Sequence, residues 1–120
     1  MAPDALFVYG TLKEGFCNFR KVAPLVSRVL KNWEVAGVLF DVGEYPGLRP
    51  GGECRVKGEL LESENLRELL RFTDEIEAGE YDRVSVTALS EGGTTRTVWT
   101  YRYLGDTSGL RQLPLGEWTG

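Results

Sequence analysis

Apolar positions near the start of the chain come as a block. Ala5 to Tyr9 (ALFVY) is unbroken and stops at Gly10, which reads as a short strand buried on both faces. Farther along, the pattern opens into alternation. Trp33 to Val42 and Glu53 to Glu62 read as strands, with Gly37 and Gly58 marking bulges inside them. Tyr81 to Ser90 and Thr95 to Leu104 flank Glu91-Gly92-Gly93-Thr94 and form a hairpin. In its second arm Trp99, Tyr101 and Tyr103 alternate with Thr100 and Arg102, so three aromatics turn to one face.

Helical periodicity is clear once, between Ser63 and Gly79. Ser63 reads as the N-cap, Glu64 suits the first turn, and Gly79 is the natural C′ residue. Arg20 to Leu30 is compatible with a second helix, interrupted at Pro24. Residues 44–52 (EYPGLRPGG) read as a Gly/Pro loop, and residues 105–120 as an extended tail. Five strands and one or two helices, mostly linked by hairpins, predict an α+β domain over residues 1–120 built on a small mixed or antiparallel β-barrel.

The clear helix ends in a conflict. Asp74, Glu75, Glu77, Glu80 and Asp82 crowd its last turn and the link beyond, against the negative end of the helix dipole. At roughly 100° per residue, with Leu66 at zero, Leu70 falls at about 40°, Leu69 at about −60° and Thr73 at about −20°. Glu75 lies near 180° and faces water; Asp74 flanks the apolar stripe at about 80°. Glu77 falls at about 20°, inside the stripe. An inward carboxylate needs a partner or a purpose. Either the helix frays before Glu77, or an arginine such as Arg83 pairs with it, or Glu77 is a general base whose pKa is raised by burial and by neighbouring acids.

Composition narrows the chemistry. The chain has no histidine, which excludes Ser-His-Asp and Cys-His catalysis and leaves a carboxylate, lysine or tyrosine as base. Two cysteines, Cys17 and Cys54, form no CxxC motif; with no histidine beside them they offer no zinc site and read as free thiols. A net charge of −4 without a basic cluster argues against a nucleic-acid surface. No apolar run is long enough to span a membrane, and the start of the chain lacks a signal-peptide pattern, so a cytoplasmic location is expected. Fifteen glycines in 120 residues suit a small barrel with many tight turns.

One more segment carries candidate chemistry. After the first strand, Tyr9-Gly10-Thr11-Leu12 reads as a turn in which Gly10 permits close backbone approach and Thr11 and Leu12 present adjacent N–H groups to an anion or carbonyl oxygen. Taken by itself, this is equally a plain strand-to-loop turn.

The combination is more specific. Phe7-Val8-Tyr9-Gly10-Thr11-Leu12-Lys13 is followed by Gly15, Asn18 and Tyr45-Pro46-Gly47-Leu48. Then come Val56-Lys57-Gly58-Glu59-Leu60, Asp74-x-x-Glu77, Tyr81-x-Arg83 and Trp99-Thr100-Tyr101. Together they resemble the gamma-glutamylcyclotransferase-like family over about residues 5–104. The resemblance implies a small barrel with flanking helices and an enzyme that releases 5-oxoproline from γ-glutamyl compounds. It also implies that residues 9–12 hold the γ-glutamyl group and that Glu77 is the base, the residue the helical wheel picks out separately. Thr73 departs from the family's more usual aliphatic residue, and Gly79-Glu80 is a short link to Tyr81.

The implied reaction uses the substrate's own α-amino group as nucleophile, so no cofactor or metal is expected. Tyr45, Tyr81 and Tyr101 are candidate pocket walls. The expected partner is a small γ-glutamyl molecule; neither the leaving amine nor the oligomeric state is written in the sequence.

Overall fold

The computed structural model describes residues 2–120. Strands β1 (Leu6–Val8), β2 (Arg28–Asp41), β3 (Pro46–Glu62), β4 (Tyr81–Ser90) and β5 (Thr95–Tyr103) form the sheet, and a short β6 (Arg111–Gln112) adds outside β2. Helix α1 (Phe19–Val22) and a 3-10 turn (Ala23–Leu25) follow β1; α2 (Leu66–Glu77) links β3 to β4. The order β3-β1-β5-β4-β2 closes on itself because β2 also pairs along β3. The outcome is a closed five-stranded mixed barrel, with β1 parallel to β5 and the other barrel pairs antiparallel.

The apolar block at the start of the chain explains itself here. Ala5, Phe7 and Tyr9 join Val35, Leu39, Leu48, Val56, Leu60 and Val98 in one buried cluster, the barrel interior. Leu6 and Val8 point the other way, into a second cluster with Val22, Leu61, Leu69, Leu70 and Tyr101 beneath the helices. Both faces of β1 are therefore buried, and no polar residue interrupts it.

Residues 46–52, expected as loop, are the first half of β3. Pro46 and Pro50 are tolerated because of parity. They lie opposite Asp41 and Gly37, and between them the Leu48 N–H points away from β2 and donates to the Tyr9 hydroxyl (3.3 Å). Residues 46 and 50 would aim their N–H groups the same way, so proline removes no ladder bond there. The ladder breaks twice. Residues 51–54 are extruded between the pairs Ala36/Arg55 and Gly37/Pro50, with Gly51 and Gly52 at positive φ; Lys31-Asn32 bulge opposite Glu59. Gly37 and Gly58 each sit beside one of these breaks.

Three other expectations change. Arg28 to Leu30 belong to a strand, since they pair with Glu62 to Leu60, and the helical part of that segment is confined to residues 19–25. The N-cap of α2 is Asn65, whose side chain accepts from the Glu68 N–H (3.2 Å), while the Ser63 hydroxyl accepts from the Asn65 N–H one step earlier. Residues 105–120 wrap the barrel instead of trailing from it. Leu113 donates to the Leu39 carbonyl (2.8 Å), Lys57 donates to that of Gly116 (2.7 Å), and Trp118 enters the interior cluster beside Phe16.

A Cβ on Gly58 would collide with the Val8 carbonyl oxygen and reach 2.6 Å from the Phe7 ring. Gly58→Ala should therefore cost about 1–3 kcal/mol, as overpacking against a fixed neighbour does, and thermal unfolding at matched pH would read the loss.

Candidate active site

A cavity of about 250 Å3 opens where the end of β1, the start of β3 and the end of α2 meet. All eight residues singled out from the sequence line it: Tyr9, Gly10, Thr11, Leu12, Tyr45, Glu77, Tyr81 and Tyr101. Asn18, Glu44, Pro46, Ile76 and Glu80 complete much of its wall.

One wall is the turn after β1. Lys13 N–H donates to the Gly10 carbonyl (3.0 Å), which makes Thr11 and Leu12 the central residues of a tight turn. Neither the Thr11 nor the Leu12 N–H finds an acceptor among the described residues. Asn18 clamps the turn twice, its N–H donating to the Thr11 carbonyl (2.9 Å) and its amide to the Thr11 hydroxyl (2.8 Å). Gly10 earns its place by contact. Its φ is ordinary, but a Cβ would come within 2.8 Å of the Pro46 ring.

From behind, Lys13 holds the same turn. Its buried ammonium donates to the Trp118 carbonyl (2.7 Å) and lies over the Phe16 ring, and burial lowers its pKa.

The opposite wall comes from α2. Leu69, Leu70 and Thr73 are buried as the periodicity requires, Glu75 is exposed, and Glu77 is partly buried at the helix end. The helix does not fray before Glu77, and Arg83 does not pair with it. Arg83 instead gives Nε and Nη2 to Asp74 (2.9 and 3.2 Å), and its guanidinium stacks over Trp99. Tyr101 donates its proton to the same carboxylate (2.5 Å), which obliges the Thr73 hydroxyl to donate to Tyr101 (2.6 Å). That contact gives Thr73 a use an aliphatic side chain would lack.

The Glu77 carboxylate has no hydrogen bond or ion pair among the described residues, Arg83 being taken by Asp74. Its pKa rises from 4.5 to about 7, chiefly through burial and then through the nearby Glu80 carboxylate. Glu80 itself accepts from the Tyr45 phenol (2.6 and 2.9 Å), a bond that pushes the phenol up to about 12. Asn18 stood in the sequence only as a position of the motif and Glu80 only as one of the crowded acids; nothing in the periodicity singles out either one as a site residue.

The cavity, its turn and its unpaired acid invite comparison with known proteins. Residues 6–120 match the model of the family described as gamma-glutamyl cyclotransferase, AIG2-like. This chain belongs to that family. Among its relatives, the gamma-L-glutamyl-butirosin B gamma-glutamyl cyclotransferase of Niallia circulans is 39% identical over 109 residues, or 82% of this chain. The chain spans 65% of that relative's length. An AIG2-like protein from Mus musculus superposes with a TM-score of 0.74 at 23% identity, covering 99% of this chain and 90% of its own. YkqA from Bacillus subtilis gives 0.73 at 21% identity over 98% of this chain and 40% of its own. At those identities the two structures share the family's fold with this chain.

The raised pKa of Glu77 has a consequence for stability. Between pH 4.5 and about 7 the folded protein holds a proton on Glu77 that the unfolded chain has released, so stability falls as pH rises through that window. Above about pH 7 the full penalty stands, on the order of 3 kcal/mol. Glu77→Gln should therefore be more stable than the parent above pH 7, with the gap closing toward pH 4.5; urea titrations across this range measure it.

Proposed function

We propose that the protein is a γ-glutamyl cyclotransferase that converts a γ-glutamyl amide to 5-oxoproline and free amine. The carrying observation is Glu77: a half-buried carboxylate with no cation beside it, in the same cavity as the turn at residues 9–12. Family membership and the Niallia circulans relative support the same reaction.

The substrate brings its own nucleophile. Folding the γ-glutamyl chain so that the α-nitrogen lies about 3–3.5 Å from the γ-carbonyl carbon exploits a large effective molarity. Glu77 takes one proton from the α-ammonium, and the freed amine attacks the γ-carbon. The oxyanion formed there suits the unused N–H groups of Thr11 and Leu12. As the tetrahedral intermediate collapses, the C–N bond to the departing amine breaks and Glu77 returns its proton to that nitrogen. The ring nitrogen gives its second proton to the regenerated Glu77 carboxylate, which passes it to the departing amine, so the amine leaves as its ammonium and the neutral lactam remains.

A Glu near 7 is about half ionised at neutral pH and is a much stronger base than one near 4, which would be fully ionised but poorly matched to an ammonium proton. A panel of γ-glutamyl amides should yield 5-oxoproline; free glutamate as the product would reassign the pocket to a hydrolase. Glu77→Gln should lower kcat by about 10² to 10⁴ while substrate still binds, and Glu75→Gln, on the exposed face, should stay within a few-fold. In the parent, kcat/KM should fall on acidification with an apparent pKa near 7, because protonated Glu77 cannot accept the substrate's proton. A profile flat from pH 5 to 8 would remove Glu77 as the base. Gly10→Val should weaken binding, since the added side chain drives the turn off Pro46.

A further inference from the structure

Four phenols line the cavity, and every one has its single proton committed to a group that can only accept. Tyr9 donates to the Tyr101 carbonyl (2.7 Å), Tyr81 to the Pro46 carbonyl (2.6 Å), Tyr45 to Glu80 and Tyr101 to Asp74. Carbonyls and carboxylates carry no proton to give, so these directions are fixed by chemistry. Toward a ligand the phenols can then offer only lone pairs.

Among the described residues no lysine or arginine lines the cavity, while Glu44, Glu77 and Glu80 do. The turn brings a cluster of free donors to the cavity: the N–H groups of Thr11 and Leu12, the Thr11 hydroxyl and the second amide proton of Asn18. The Glu77 and Glu80 carboxylates and the Tyr81 oxygen thus face the cavity from the α2 and β4 side, and a donor cluster faces it from the turn after β1.

Among the four phenols Tyr81 stands apart. Tyr9 already accepts from Leu48 and Tyr101 from Thr73, so both oxygens serve the protein twice. Tyr45 reaches outward to an exposed carboxylate. The Tyr81 oxygen accepts from nothing among the described residues, and the Pro46 it bonds is the residue Gly10 packs against. Tyr81 lines the same cavity as Glu77 and Glu80. Burial, and then the charges of those two carboxylates, raise its pKa strongly, so it remains a neutral phenol.

We propose that Tyr81 is an ammonium-binding residue: its lone pair and the Glu77 carboxylate together hold the substrate's α-ammonium, which directs the γ-carbonyl and α-carboxylate toward the donor side at Thr11 and Asn18. Tyr81 thereby selects substrates with a free α-amino group and sets the nitrogen at the base before the proton moves. This deepens the cyclotransferase reading and rests on it.

L-Glutamate and glutarate differ only in that ammonium, and their binding requires no turnover. Calorimetry at pH 8 on the parent should find L-glutamate the tighter ligand. In Tyr81→Phe, L-glutamate should weaken by roughly tenfold or more, the loss expected for a hydrogen bond to a charged group, while glutarate stays within about twofold. Retained glutarate binding also reports an intact pocket. Equal loss of both ligands, or an unchanged ratio between them, would overturn the role of Tyr81. If neither ligand binds the parent, the γ-glutamyl assignment itself fails and takes this inference with it.

Discussion

Asp74 holds the site together. Its carboxylate takes both Arg83 nitrogens and the Tyr101 proton, so one side chain ties the last turn of α2 to β4 and β5. Glu77 follows three residues later, nearly one helical turn on, and its direction is set by where that turn is pinned. A bidentate guanidinium pair with a stacked aromatic behind it is among the more rigid arrangements available to side chains. Nearby acids thus have different jobs: Asp74 is neutralised and structural, whereas Glu77 is left without a cation.

The same division explains why so much of the site was legible. Glu77 was marked by a local contradiction, a charge inside an apolar stripe, and the periodicity of α2 is strong enough for the position on the wheel to survive in three dimensions. The Tyr9 to Leu12 turn was marked by its motif. Asn18 appeared only as a motif position and Glu80 only as one acid of a cluster; neither was given a role, because those roles depend on what lies across the cavity, and polar residues in loops carry no period. The Asp74–Arg83–Tyr101 clamp joins three elements and is invisible to any pattern that reads one element at a time.

The fold was legible where alternation or apolar continuity held, as in β1, β4 and β5. It failed where local chemistry outvoted tertiary pairing. Pro46 and Pro50 look like breakers until they are seen to occupy strand positions whose missing N–H would in any case face away from the β2 ladder. Ser63 looks like a cap until Asn65 takes the position two residues later. The last fifteen or so residues have little periodicity because each is held by a different contact, from Leu113 on Leu39 to Trp118 in the barrel interior.

Strand β1 has consequences for how the molecule comes into being. It is three residues long, lies between β3 and β5, and its register places Leu6 beside Trp99. Most of the chain must therefore be in place before β1 has both neighbours, and loop closure over such a separation makes for slow folding. The turn at Gly10 to Leu12 leaves directly from that strand. Until the β4–β5 hairpin docks, Tyr101 is absent from the pocket and Arg83 cannot reach Asp74, so a ligand specific for this cavity would recognise only chains that have finished folding.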